Sequence, residues 1–186
     1  KRKFVKIKKK VELKEDDTLI GVGLTDGTKD VVLMASSGKA IRFNETDVRS
    51  MGRTASGVRG MKLQEQQVLI ELLIVNEGST LLTATENGYG QRTAWSDYRA
   101  IGRGGQGVRA IIVDERNGPV VAAAQVKEDD ELLMITSRGT MVRTRVNEIS
   151  LIGRNTKGVR LLSVQSGERL VGIEPISLLA EGLSNS

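Results

Sequence analysis

A chain of 186 residues is long enough to bury a core, and with neither cysteine nor histidine it lacks disulfides, thiol nucleophiles and the commonest metal ligand and general base. No run of about 18 apolar residues is available to span a membrane, and the basic opening KRKFVKIKKK lacks the apolar stretch of a signal peptide, so a cytoplasmic protein is expected. The net charge of +5 is unevenly placed: residues 1–14 alone sum to +7, and everything after them to −2.

In chain order, the opening alternates Val5, Ile7, Val11 and Leu13 with Lys6, Lys8, Lys10 and Lys14, as a half-buried strand does. Apolar strands are then expected at Leu19–Leu24 and Val31–Ala35, followed by a tight hairpin at Ser37-Gly38 whose glycine can take a positive φ. The next strands repeat this order: Val68–Val75, Thr80–Thr85, the hairpin Asn87-Gly88, then Val120–Val126, Glu131–Thr136 and the hairpin Arg138-Gly139. Three segments superimpose without a gap: GKAIRFNETDVRSMGRTASGVRGMKL from Gly38, GYGQRTAWSDYRAIGRGGQGVRAIIV from Gly88 and GTMVRTRVNEISLIGRNTKGVRLLSV from Gly139. They start 50 and 51 residues apart and share a glycine, an arginine four residues on, then Gly-Arg and Gly-Val-Arg. Each repeat thus has four short strands, the last carrying Gly-Val-Arg after a loop of about a dozen residues, which is the pattern of a propeller blade. The fold class is all-β, with three to four blades in an open arc. The expected units are residues 15–64, 65–114, 115–165 and a start or closing strand at 166–176, where Leu170–Ile173 opens a fourth repeat. Residues 1–14 are read as a basic strand completing a preceding blade, and 177–186 as a tail without pattern.

Charge follows the repeat. The arms 38–62, 88–112 and 139–163 carry +4, +3 and +4, which leaves −13 for the connecting segments, Asp16, Asp17, Glu65 and the run Glu128–Glu131 among them. Matched positions of stacked blades recur on one rim, so the arms would form a curved basic stripe. Such a stripe suits a bent duplex, held by phosphate neutralisation with little direct base reading. Arginine outnumbers lysine in the arms, which favours bidentate phosphate contacts. Aromatic residues are few, with Trp95 and Tyr98 the notable pair, so a stacking platform for single strands is disfavoured.

Arg53, Arg103 and Arg154, in loops between small residues, are the leading phosphate-contact candidates. Arg42, Arg92, Arg143 and the strand-four Arg59, Arg109 and Arg160 come next, with Arg49, Arg99, Arg145, Lys39 and Lys157. The competing role for the arm arginines is pairing with the aligned Asp47, Asp97 and Glu148. Gly52, Gly57, Gly102, Gly107, Gly153 and Gly158 are read as structural, because a bent loop needs them at matched spacing. The window Gly102–Gly107 also fits G-x-G-x-x-G, but a nucleotide loop should open a helix and here a β-rich run follows. The acidic run 128–131 lies between two strands and reads as a solvated turn rather than a metal site. The lysine head either touches DNA or protects a strand edge. No catalytic residue, metal site or cofactor is expected in this chain, and the rival function is a protein-binding propeller scaffold whose arginines form internal salt bridges.

The repeated GRTASGVRGMKL, GRGGQGVRAIIV and GRNTKGVRLLSV, with NGYGQRTAWSDY and TMVRTRVNEISLIGRNTKGVRLL, resemble the C-terminal domain of the gyrase A protein of DNA gyrase, and less closely that of topoisomerase IV. The resemblance covers roughly Leu13 to Pro175. It implies a β-pinwheel, a propeller variant that exchanges strands between neighbouring blades and wraps double-stranded DNA on its outer rim. It further implies partners in the remainder of gyrase A and in gyrase B, a heterotetramer at the nucleoid that introduces negative supercoils with ATP and magnesium bound elsewhere. No membrane and no small-molecule substrate are implied. Two departures stand out. The family's wrapping box Gln-Arg-Arg-Gly-Gly-Lys-Gly is not present, and IGRGGQG matches it only at Arg103, Gly104, Gly105 and Gly107; the DNA-cleaving tyrosine belongs to another domain, and neither Tyr89 nor Tyr98 has a matching context.

Overall fold

A computed structural model describes residues 18–52 and 54–177. The basic opening strand and the tail from 178 onward therefore lie outside the described residues, as does Arg53. The described residues form eleven strands: β1 (Asp30–Ala35), β2 (Lys39–Asn44), β3 (Leu69–Ile74), β4 (Thr80–Thr85), β5 (Tyr89–Thr93), β6 (Val108–Arg109), β7 (Val120–Val126), β8 (Glu131–Thr136), β9 (Met141–Arg145), β10 (Val159–Arg160) and β11 (Leu170–Ile176). Single 3-10 turns follow the third strand of each repeat, at Glu45–Asp47, Trp95–Asp97 and Val146–Glu148. The hairpins fall where the sequence places them, with Gly38, Gly88 and Gly139 all at φ near +80° (79°, 83° and 79°).

The sheets do not coincide with the repeats. Their orders are β3-β1-β2-β6, β10-β5-β4-β7 and β11-β8-β9, all antiparallel. Each repeat keeps its central hairpin for its own blade and gives its first and fourth strands to the blade before it. Thus β3 and β6, from the second repeat, flank the β1–β2 hairpin of the first. Blades cut at repeat boundaries are accordingly replaced by blades that straddle them.

This exchange accounts for two expected strands that do not form. Leu19–Leu24 and the Gly57-Val58-Arg59 segment belong to the first repeat, so their pairing partners would be strands of an earlier one; both are described without strand structure, and Leu19, Val22 and Leu24 are exposed. The third blade has three described strands because the fourth strand of each blade comes from the repeat that follows.

Burial reports the same stacking. β4 is buried almost continuously because its blade has another on each face, and β1 because one face meets the second blade and the other is covered by Ile41, Phe43 and the Met61 segment. Val32 and Met34 of β1 join Leu81, Trp95, Tyr98 and Ile111 in the core between the first and second blades, while Val31, Leu33 and Ala35 face the cluster of Ile41, Phe43 and Met61 on the other side. A second inter-blade core gathers Leu82, Ala84, Val126, Leu132, Met134 and Leu170. β8 instead alternates, since only its Leu132–Met134 face meets another blade. Trp95 donates from Nε1 to Ser79 Oγ at 3.1 Å and the Tyr98 hydroxyl lies 2.9 Å from Thr93 Oγ1, so both aromatic residues satisfy their polar ends inside the core. Burial pushes the Tyr98 phenol up to about 12.

The glycine of Gly-Val-Arg fixes the approach of the fourth strand. Gly57, Gly107 and Gly158 adopt φ of 78°, 73° and 69°, and a Cβ on Gly107 or Gly158 would overlap the backbone carbonyl of Ala40 or Gly90 in the preceding third strand. Gly52 and Gly153 of the Gly-Arg pair have open space around them and ordinary φ, and nothing in the structure requires glycine there. Replacing Gly107 or Gly158 by Ala is expected to destabilise the fold by about 2 kcal/mol or more, whereas Gly153→Ala should be within about 0.5 kcal/mol of the parent. Urea unfolding midpoints of the three variants check this.

Candidate nucleic-acid interface

The arms occupy one edge of every sheet. Third and fourth strands lie side by side as β2–β6 and β5–β10, at the opposite edge from the first strands β3 and β7. Two junctions between repeats use the same bonds in the same register. Ile101 N donates to Arg42 O and Ile152 N to Arg92 O; Ala110 and Ile111 N donate to Gly38 O, as Leu161 and Leu162 N do to Gly88 O. Identical junctions place equivalent arm residues of successive repeats at equivalent points along one edge.

Not every arm cation is available there. The Arg42 side chain is 12% exposed; its Nε donates to Asp30 at 2.7 Å, Nη2 to Glu77 at 2.5 Å, and Nη1 to the Trp95 carbonyl at 3.0 Å. The Arg92 side chain is 5% exposed, donates from Nε to the Ile149 carbonyl at 2.9 Å and pairs with Glu128. Arg42 and Arg92 are therefore corrected from duplex contacts to inter-repeat struts, since a phosphate cannot reach a buried guanidinium already holding carbonyls and carboxylates. Their carboxylate partners are also not the aligned Asp47 and Asp97. Arg143 pairs with Glu131 and is half exposed at 49%. The acidic run is thus not purely a solvated turn, because two of its carboxylates neutralise arginines.

Arg103 and Arg154, the leading loop candidates, form a matched pair of clasps. Arg103 donates from Nε to Asp47 O at 3.0 Å and from Nη1 to Arg59 O at 3.2 Å; Arg154 donates to Asp97 O at 2.9 Å and to Arg109 O at 2.8 Å. Each ties its loop to the preceding repeat's 3-10 turn and Gly-Val-Arg segment. In both, Nη2 has no partner among the described residues, so one donor edge stays open.

The remaining candidates are surface groups. Arg49, Arg99, Arg59 and Arg145 are exposed and donate no side-chain hydrogen bond and form no ion pair among the described residues. Arg49 and Arg99 lie just beyond the residues that cap the 3-10 turns, Val48 and Tyr98, whereas Arg145 ends β9. Arg109 Nη1 donates to Asn155 Oδ1 at 2.9 Å, Arg160 Nη2 to the Tyr89 hydroxyl at 2.9 Å and Lys39 Nζ to Gln106 Oε1 at 3.2 Å, all neutral partners. Lys157 pairs with Asp114 at 2.5 Å. Sequence reasoning missed Arg116, whose guanidinium lies 4.2 Å from the centroid of the Tyr89 ring. It sits in the connecting loop before β7, a stretch the repeat alignment counts with the acidic segments.

The Gly102–Gly107 window runs into β6 instead of a helix, so it has no helix N-terminus for a nucleotide phosphate. Trp95 and Tyr98, each 2% exposed, offer no face to a base.

Two carboxylates that hold the struts, Asp30 and Glu128, titrate low. Burial works against the charge on Asp30, but bonds from Asn44 and Arg42 outweigh it and hold its carboxyl below the ordinary value; the bond from Arg92 does the same for Glu128. A folded-state value below the unfolded one contributes stability that is complete above the unfolded value and is lost as pH falls through the folded one. Stability should therefore decline below about pH 4, and Glu128→Gln should flatten that decline, as read by urea midpoints across pH. At neutral pH, Arg154→Lys should cost about 1–2 kcal/mol, because an ammonium cannot span both carbonyls, whereas Arg99→Lys should be silent. Thermal unfolding of the two variants decides it.

The model of the DNA gyrase C-terminal domain, β-propeller, matches residues 29–76, 79–127 and 130–177, each match running from the second strand of one repeat to the first strand of the next. Among whole proteins, the gyrase A protein of Pseudomonas aeruginosa DNA gyrase is 53% identical over 166 residues, covering 89% of this chain and 18% of that protein. Its counterpart in Salmonella typhimurium is 49% identical over 167 residues, 90% of this chain and 19% of that one. The chain thus spans under a fifth of the length of these relatives. A solved C-terminal domain of DNA gyrase A superimposes with TM-score 0.76 at 33% identity, covering 83% of this chain and 53% of that one; the C-terminal domain of DNA topoisomerase IV, at 22% identity and TM-score 0.82, covers 89% and 52% and shares the fold. With every repeat matched and the strands exchanged between blades, the chain belongs to the DNA gyrase C-terminal domain family.

Proposed function

We propose that this chain binds and bends double-stranded DNA along the arm edge of its blades, as a non-catalytic module of a type II topoisomerase of the gyrase A kind. The observation that carries the proposal is the identity of the two inter-repeat junctions. It supports a common edge for the matched Arg49 and Arg99 and for the matched Arg59, Arg109 and Arg160; these and Arg145 are exposed and without carboxylate partners among the described residues. A duplex laid on that edge gains from counterion release and needs no base contacts, which suits an edge of arginines without an exposed aromatic pair.

Cleavage, ATP hydrolysis and negative supercoiling would belong to the rest of the parent protein and to a gyrase B partner in a cytoplasmic, nucleoid-associated heterotetramer; we assign this chain no catalytic residue, metal or cofactor. Among the described residues no helix is long and apolar enough to cross a membrane. The buried bonds of Arg42 and Arg92 fit the scaffold alternative, but they leave the exposed arginines unexplained. Likewise, the family relatives favour gyrase over topoisomerase IV, whose likeness extends to the fold.

The test is duplex binding over a salt series. Log affinity should fall linearly with log salt, by about 0.9 per neutralised phosphate. The triple variant Arg49→Ala, Arg99→Ala, Arg145→Ala should bind about tenfold or more weakly with an unchanged unfolding midpoint, because these side chains hold nothing in the fold. No binding by the parent chain at low salt would overturn the proposal in favour of a protein-binding scaffold.

A further inference from the structure

We propose that each complete blade carries a two-cation phosphate clamp where the residue after the hairpin glycine of one repeat stands opposite the Gly-Val-Arg arginine of the next. This rests on the duplex-binding proposal above and gives that edge its contact unit. The ligand is a phosphodiester of a duplex backbone.

In the first blade the two prongs are Lys39 and Arg109, which stand directly opposite in the β2–β6 pairing. Directly opposed residues of an antiparallel pair share a face with Cβ atoms about 5 Å apart, and like charges so placed destabilise a sheet. No carboxylate relieves this pair: none of the ion pairs among the described residues includes Lys39 or Arg109. Each cation is held by a neutral side-chain amide, Lys39 by Gln106 and Arg109 by Asn155. An amide oxygen orients the charge without cancelling it. The free protein therefore bears a repulsion that an external anion removes, and an oxyanion between the prongs can accept from both.

The second blade repeats the arrangement with a substitution. Tyr89 and Arg160 are the opposed pair of β5 and β10, and the Arg160 guanidinium lies 5.5 Å from the Tyr89 ring centroid while donating to its hydroxyl. Here the second cation arrives from elsewhere. Arg116 lies 4.2 Å from the same ring centroid, anchored through Nη2 to the carbonyls of Lys157 and Gly158 at 3.2 and 3.3 Å and through Nε to Asn117 Oδ1 at 3.1 Å. Asn117 is itself fully buried and bonded to Ile112 O and Lys157 O, so the anchor is rigid. Among the described residues the Nη1 groups of Arg116 and Arg160 have no partner, and no carboxylate pairs with either side chain. Both blades thus present two uncompensated cations at the hairpin end of the same sheet edge, one clamp per blade.

The experiment is a double-mutant cycle on duplex affinity with the whole chain. Lys39→Met and Arg109→Met should each weaken binding about threefold or more, and the double variant should fall no more than about twofold below the weaker single, because one phosphate loses both prongs together. Lys39→Met combined with Arg160→Met, from different clamps, should instead multiply. Arg116→Gln should weaken binding in parallel with Arg160→Met and lower the salt slope by about one. Without DNA, Lys39→Met should unfold at the parent temperature or above it, since the repulsion is gone; a lower unfolding temperature would make Lys39 a structural residue and overturn the clamp. Multiplicative effects for Lys39 with Arg109, with duplex binding by the parent intact, would overturn the clamp alone. Absence of duplex binding by the parent would remove both proposals.

Discussion

The pairing of each Gly-Val-Arg strand with the third strand of the repeat before it is the contact on which the rest of the molecule depends. It is only two residues long in each of the two four-stranded blades, yet it closes the sheet edge and brings the loop arginine to the carbonyls of the preceding repeat. A positive-φ glycine against a strand carbonyl makes that approach possible. Because the same few bonds recur at both junctions, one rule of displacement carries each blade to the next, and the surface chemistry of a single arm becomes the chemistry of an edge.

The repeat, the hairpins and the all-β class were legible because they rest on local signals: alternating apolar runs, tight-turn glycines and a fixed spacing. Strand pairing is not local, and the sheets show the consequence. Nothing within Leu19–Leu24 distinguishes it from Leu69–Ile74, but among the described residues only the second has a preceding hairpin to join. The glycines show the same limit. Gly52 and Gly107 recur equally well in the alignment, but only Gly107 faces a carbonyl that excludes a side chain.

The arginines divide along lines that residue type cannot reveal. Arg42 and Arg99 are both arm arginines near acidic neighbours, yet one is buried among two carboxylates and two carbonyls and the other is exposed without a partner among the described residues. The deciding variable is place in the arm: Arg42 lies within a third strand on which the next repeat packs, whereas Arg99 lies beyond the 3-10 turn. Arg103 and Arg154 occupy a middle position, spending two donors on the fold and leaving another outward. Such a residue couples the spacing of repeats to the surface they present, because the group that could meet a phosphate is the one that holds the junction.

Where the chain departs from its own best packing is equally informative. Opposite charges neutralise each other at the inner struts, Arg42 with Asp30 and Glu77, and Arg92 with Glu128, although carboxylates are numerous enough to have served the outer edge as well. Instead the Lys39–Arg109 pair is left to amides, and Arg116 and Arg160 to a phenol, carbonyls and an amide. Sequences that fold reliably avoid local conflicts of this kind except where function requires them. A cross-strand repulsion kept in the first blade, and two cations gathered against the Tyr89 ring at the matched place in the second, are relieved by a third charge of opposite sign. The regular polyanion that fits a repeating edge is the backbone of nucleic acid.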